Sequence, residues 1–540
     1  MNATPLRSER PRIFFIDDGR HAAYLYQFEP PVTPDDVVFT VDQVAQSGFD
    51  TLLLSVALEG GAATYDSRVA PLWGDNVETW THTVWYRAGR NLKQIIDDGY
   101  DPLQLVIDRC RLHGLWFFPG SWVNFDGGDR ETAGGLGRKT DFVYDHPEFQ
   151  VGEEDDPRAD GVSPTRFSFL HGQVREKRLA LFEELLTRYE TDGLDLDLAD
   201  HVPMCRFDEV DELAPMLTDW LRRLREIADK AQTQQGRQKR ILVRISGRAA
   251  AWKVLGYEVD VWASEGLVDG LICLPGLTHA TVDTGLDLAS AKKATAGTDC
   301  LVLSGFGQSL ARQTDHQATA EMVWAAAANA HAQAADGFGL ADACTFPDGW
   351  PWTPTQYDAW RRTGSPDLLA TSDKHYRVQS RGPRVPPVWL PGGDPPLPRA
   401  LEEGEPVKFR LMVADDLDRW QQTGRVESVR LKVRITAIEA SLNKVEVRLN
   451  DQVLGDDLLQ LNDYTYRLTS RGPVNPYGFV YEFVLPPECF PRQGDNRVTV
   501  LLRQRDRKIS LPFEVYDVDI EVRYRQHANY RRDPLRPVSA

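Results

Sequence analysis
Nowhere in its 540 residues does the chain carry a CxxC pair, a long apolar run, an HExxH helix or an excess of basic residues. Each absence excludes a class. The six cysteines (Cys110, Cys205, Cys273, Cys300, Cys344 and Cys489) are scattered, several within apolar stretches such as LICLPG and DCLVLSG. They read as buried free thiols, not as a disulfide framework or a structural zinc site. No apolar stretch reaches the length of a membrane span, so no membrane partner is expected. The start, MNATPLRSERPR, has no hydrophobic signal region, and a cytoplasmic protein is the expectation. With 62 Lys and Arg against 80 Asp and Glu, the formal net charge of −18 speaks against nucleic acid, whose phosphates require a basic surface. FFIDDGRHAAY, after the first apolar run, is no glycine-rich phosphate loop, and neither a cofactor nor a metal is expected. Oligomeric state is left open.

What is present is a repeating unit. Between residues 13 and 343 an amphipathic segment, a Gly or Asp-Gly turn and a short apolar run recur. The instances are QSGFDTLLLSV (46–56), RLHGLWFFPGSW (111–122), YETDGLDLDLAD (189–200), EGLVDGLICLPG (265–276) and QAADGFGLADA (333–343). RIFFIDDG (12–19), ILVRISG (241–247) and CLVLSGFG (300–307) fit the same spacing. The glycines suit left-handed helix C-caps. VREKRLALFEELLTRY (174–189) and ATAEMVWAAAANAHAQA (318–334) carry helical periodicity. Eight such units predict an α/β (β/α)₈ TIM barrel over residues 10–380, with a doubly wound sheet as the alternative. Residues 381–400, rich in proline and glycine, read as a linker. Beyond it, alternating runs such as VKFRLMVA, SVRLKVRITAI and NRVTVLLRQ predict an antiparallel β-sandwich over 401–540, with LNDQVL as a tight hairpin.

In a barrel, working residues sit at the C-terminal ends of the strands. Alternation in GLDLDLAD puts Leu194, Leu196 and Leu198 toward the helices and Asp195 and Asp197 into the barrel, with Asp200 and His201 just beyond. Two carboxylates in a barrel interior are costly unless paired or functional. Asp195, Asp197, Asp200 and Asp342 (at the end of strand eight) are therefore the catalytic candidates. Asp17 and Asp18 (strand one), Trp122 and Asn124 (strand three), Arg244 (strand five), His201 and Trp350 are the candidate substrate contacts. Asp126, Arg248 and Trp352 lie at the same strand ends. Carboxylates, an amide, arginine and tryptophan faces at one opening suit a polyhydroxylated carbohydrate.

DPLQLVIDRCRLHGL (101–115), FVYDHPEFQ (142–150) and FSFLHGQVREKRLALFEELLTRYETDGLDLDLAD (167–200) together resemble the bacterial family-10-like glycoside hydrolases. That resemblance implies a catalytic barrel with a C-terminal sandwich, and it maps the acidic residues at the end of strand four onto Asp195 and Asp197. The family-18 pattern D-x-x-D-x-D-x-E is met at Asp192, Asp195 and Asp197, but Ala199 stands where the proton-donating glutamate belongs, unless Asp200 replaces it. Strand seven, LVLSGFGQS, ends without an acid. Three readings follow. The first is a glycosidase whose carboxylate separation sets its stereochemistry. The second is a non-catalytic carbohydrate-binding protein on a degenerate barrel. The third is a metal-dependent hydrolase using Asp197, Asp200 and His201.

Overall fold
The computed structural model describes residues 7–17, 25–153, 155–156, 158, 163–275, 282–307, 309–310, 313–341, 353–379, 396–463 and 478–527. Eight parallel strands close into a barrel: Ile13–Asp17 (β1), Thr51–Ser55 (β2), Trp116–Trp122 (β3), Gly193–Asp197 (β4), Arg240–Ser246 (β5), Gly270–Leu274 (β6), Leu301–Gly307 (β7) and Gly337–Ala341 (β8). They follow one another around the ring, and β8 returns to β1 through pairs such as Phe14 with Gly339. All eight runs singled out by periodicity are these strands. The doubly wound alternative fails because the sheet closes.

Period-two alternation sorts the side chains into two cores. Leu194, Leu196 and Leu198 join the helix-side core with Phe182 and Leu185 of the helix Gly172–Thr187 and Leu217 and Leu221 of the helix Val210–Gln235. Phe14, Ile16, Leu53, Phe118, Leu242, Ile272, Leu274 and Leu303 fill the barrel itself. Fully burying one such side chain contributes about 1.5–3 kcal/mol, so these residues form a packed core inside the barrel.

The turn glycines divide into two kinds. Gly114 (φ 69°) caps the helix Pro102–His113 in the left-handed conformation, as expected. Gly193 is instead the first residue of β4 (φ 141°), where a Cβ would fall 1.7 Å from the Arg240 carbonyl oxygen. Gly337 likewise lies within β8. The Asp-Gly signal at these two positions marks close strand approach, and the helix-cap expectation is corrected there.

The C-terminal part is a two-sheet sandwich. Its strands are Lys374–Arg377 (β9), Pro406–Val413 (β10), Val426–Thr436 (β11), Lys444–Leu449 (β12), Leu459–Asn462 (β13), Gly478–Leu485 (β14), Gly494–Gln504 (β15) and Glu514–Tyr524 (β16). One sheet runs β9–β16–β11–β14–β13, with the short Arg399–Ala400 also pairing with β16; the other runs β10–β15–β12 and is edged by the two-residue strand Gln452–Val453. Leu431 and Val433 from one sheet meet Leu411 and Val500 from the other in a shared core. Asn450 (φ 51°) and Asp451 (φ 71°) form the tight turn after β12 that LNDQVL predicts. Ala325 of the barrel helix Ala320–Ala332 packs into the sandwich core, and Asn329 donates to the Met412 carbonyl (3.0 Å). Most of the expected linker and Tyr464, Tyr466 and Tyr477 lie outside the described residues; Tyr481 is core. Among the described residues no helix is long and apolar enough to cross a membrane.

Candidate active site at the C-terminal rim of the barrel
The site is built outward from β4. Pairing with β5 sets Asp195 opposite Leu242 and Asp197 opposite Arg244. The Arg244 guanidinium reaches both acids: Nη2 lies 2.7 Å from Asp195 Oδ2 and Nη1 lies 3.0 Å from Asp197 Oδ2, with all three side chains at zero exposure. Arg244 Nη2 also donates to Ser55 Oγ on β2 (3.3 Å). One cation shared by two acids is how an apolar interior accommodates buried carboxylates. Asp197 Oδ1 accepts from the backbone N–H groups of Ala199 (2.8 Å) and Asp200 (3.0 Å), which folds the chain into a tight turn as it leaves the barrel. Ala199 itself packs in the barrel core.

The hydrogen-bond chain continues from Asp197 to the rim. Asp200 Oδ1 accepts from the His201 N–H (2.8 Å), and His201 stands at φ 53°, a left-handed conformation uncommon for a non-glycine residue. Its carbonyl accepts from Asn124 Nδ2 (3.1 Å). Asn124 is braced in turn: its carbonyl accepts from Arg178 Nη2 (3.0 Å), and that guanidinium lies 3.7 Å from the centre of the Phe125 ring. Burial pushes Arg178 down to about 9. The His201 ring meets the buried Trp122 edge-on, 5.2 Å between centres. Trp122 pairs with Asp197 across β3 and β4, and among the described residues its Nε1 has no hydrogen-bond partner.

Two ion pairs stitch the loops after β2 and β3 around this ring. Glu59 is held by Arg138 in a two-pronged contact (2.8 and 2.7 Å), and Asp126 by Lys139 (2.9 Å) and the Thr165 hydroxyl (2.8 Å). Burial opposes ionisation of Glu59, but Arg138 and, further out, His201 outweigh it and hold the carboxyl below its usual range. Asp126 behaves alike: burial opposes, while Lys139, Thr165 and then His201 prevail. Arg166 faces Asp200 and Asp126, with burial lowering its basicity.

The structure thus brings together Asp195, Asp197, Asp200, His201, Trp122, Asn124 and Arg244. Asp17 is buried at the end of β1, and by alternation it falls on the face of Ile13 and Phe15, which belong to the helix-side core. Arg248 turns toward the sandwich and donates to Gln379 (2.9 Å). Asp192, first of the acid series, is at the opposite end of the barrel, accepting from the Phe117 N–H and pairing with Arg237. Asp18, Asp342, Trp350 and Trp352 lie outside the described residues. Sequence reasoning missed Glu59, Arg138, Lys139 and Arg166. Glu59, four residues past β2, was within reach of the strand-end rule; the three cations sit far from any strand end and carry no local signal. Among the described residues no group of three or more His, Cys, Asp or Glu side chains is placed to hold a metal ion.

No family model and no curated protein matches the chain. Among solved structures it is similar to the PgaB (BpsB) glycoside hydrolase domain from Bordetella bronchiseptica, at 14% identity and a TM-score of 0.41, with 66% of this chain and 99% of that one covered. It is similar to alpha-L-fucosidase isoenzyme 2 from Paenibacillus thiaminolyticus at 12% identity and 0.42, covering 68% and 51%. A third likeness is to a cycloisomaltooligosaccharide glucanotransferase from Paenibacillus sp., at 10% identity and 0.35, covering 94% of this chain and 57% of that one. The chain therefore spans only about half the length of the fucosidase and the glucanotransferase. Glycoside hydrolases are among these neighbours; they do not show membership of the family-10-like group.

Proposed function
We propose that the chain is a glycoside hydrolase acting on an oligosaccharide or glycoconjugate at the C-terminal face of the barrel. The observation that carries the reading is the end of β4. Asp197 is fixed there beside the indole of Trp122, and a half-buried imidazole, His201, stands four residues on. A carboxylate held by Arg244 and two backbone N–H groups is oriented to offset positive charge at an anomeric carbon. The half-buried imidazole offers a ring face and the buried indole an N–H edge, a combination that suits a sugar. The test is Asp197→Asn assayed on a glycan panel for release of new reducing ends. Loss of turnover in a folded variant supports the reading, and turnover equal to the parent's removes Asp197 from it.

A second reading, a carbohydrate-binding protein that no longer cleaves, is favoured by one observation: Asp195 and Asp197 are both committed to Arg244 with no exposed surface, and Ala199 follows. Glycan binding by calorimetry without any product release at high protein concentration supports it. Turnover abolished by a barrel aspartate substitution excludes it.

A further inference from the structure
A glycosidase needs a group that gives a proton to the departing oxygen, and β4 does not offer one. Asp197 is locked by Arg244 and by the Ala199 and Asp200 N–H groups, and the residue two beyond it is an alanine. The next titratable ring along the chain is His201. It is half-buried, so a ligand at the rim can reach it, while its backbone is fixed from both sides by Asp200 and Asn124. His201 holds φ 53°, a region that few non-glycine residues enter, and such conformations gather where surrounding structure over-determines a functional position. Trp122, nine-tenths buried, presents an indole N–H with no partner among the described residues next to the same ring. The charged groups interacting with the imidazole are Glu59 of the loop after β2, paired with Arg138, and Asp126 of the loop after β3, paired with Lys139; Asp200 precedes the ring in its own turn and faces Arg166.

We infer that His201 is the proton-transferring residue of this site, with the Trp122 indole N–H donating to a hydroxyl or ring oxygen of the bound sugar; the inference rests on the glycosidase reading above. The imidazolium gives its proton to the glycosidic oxygen as the C1–O bond breaks, and the bonding pair leaves with that oxygen to form an alcohol. Water then forms the new bond at C1 and passes a proton to the neutral imidazole. One water is consumed and the acid is restored.

The left-handed backbone supplies a clean test, because Asn, like His, tolerates that conformation and Gly adopts it freely. His201→Asn and His201→Gly are compared with the parent on a glycan panel, with kcat followed against pH and imidazole added to the glycine variant. The expected result is a loss of 100-fold or more in kcat at unchanged Tm, disappearance of the limb of the pH profile set by the acid, and partial recovery of His201→Gly by imidazole. Turnover within about threefold of the parent with the same profile overturns the inference and leaves the glycosidase reading standing. A loss that imidazole does not restore, with the profile of the residual rate unchanged, marks a positioning role and also overturns it. Absence of turnover in the parent on every glycan sinks the glycosidase reading itself.

Discussion
Arg244 and Asp197, paired side by side on neighbouring strands, form a 3.0 Å ion pair with no solvent contact, and the same guanidinium holds Asp195 at 2.7 Å. Removing the cation alone leaves two carboxylates in an apolar barrel. Breaking a buried pair in this way typically destabilises by roughly 3–5 kcal/mol, because the partner's charge is left uncompensated. Arg244→Met should therefore lower stability by about that amount in urea denaturation. The double variant Arg244→Met with Asp195→Leu should recover part of the loss. If Arg244→Met unfolds at the parent's urea midpoint, the guanidinium does not organise the barrel.

The rim should show its own pH dependence. Arg138 and His201 overcome the burial penalty to hold Glu59 below its usual range. A carboxylate with a depressed folded-state value stabilises the protein above its unfolded value, about 4.3 for glutamate, and loses that contribution as pH falls through the folded value. Glu59→Gln should accordingly lower Tm at pH 7, and the gap to the parent should close as pH drops below about 4. A gap that stays constant from neutral pH down to well below the glutamate range would assign the effect to packing instead of charge.

The opposite end of the barrel is closed by the N-terminal segment. Trp116 at the start of β3 lies under the Arg7 guanidinium (3.4 Å to the ring centre), and Arg240 approaches the same ring at 4.8 Å. Its Nε1 donates to the Ser8 hydroxyl (3.0 Å), while Arg7 pairs with Asp192. Arg7→Ala should destabilise by about 1 kcal/mol, in keeping with a partly exposed cation–π contact. Trp116→Ala should destabilise by about 3 kcal/mol or more. Equal effects from the two would show that the segment does not use this ring as its seat.

The fold was legible because alternation and the turn signals agree. Leu194, Leu196 and Leu198 belong on the helix side and Asp195 and Asp197 in the lumen, and the two cores divide there. What the sequence did not disclose is pairing over long separations. Nothing around Arg244 says that it serves both aspartates of β4, and nothing around Arg138 or Lys139 points to Glu59 or Asp126. Those contacts depend on which loops the closed barrel brings side by side. His201 was visible as a residue beyond the strand; its left-handed backbone, the feature that singles it out, was not.

Gly193 carries the clearest backbone prediction. It opens β4 at φ 141°, paired with Arg240, and a Cβ there would lie 1.7 Å from the Arg240 carbonyl oxygen and 2.5 Å from its nitrogen. Backbone atoms on a paired strand do not move aside as a flexible side chain does, so Gly193→Ala must part β4 from β5 at the point where their register begins. Two penalties combine: the strained φ, on the order of 1–3 kcal/mol, and overpacking, of similar size. Gly236, at φ 62° in the ordinary left-handed region, is the comparison without a clash, because a Cβ added there would meet nothing within 4 Å. Urea denaturation should show Gly193→Ala destabilised by about 3 kcal/mol or more and Gly236→Ala by about 1 kcal/mol. Because β4 carries Asp195 and Asp197, the Gly193 variant should also lose turnover wherever the parent shows it, whereas Gly236→Ala should keep it. Equal stability losses at the two glycines would mean that β4 and β5 separate easily, and the tight Asp197–Arg244 geometry would then have to be maintained from the loops and not from the strands.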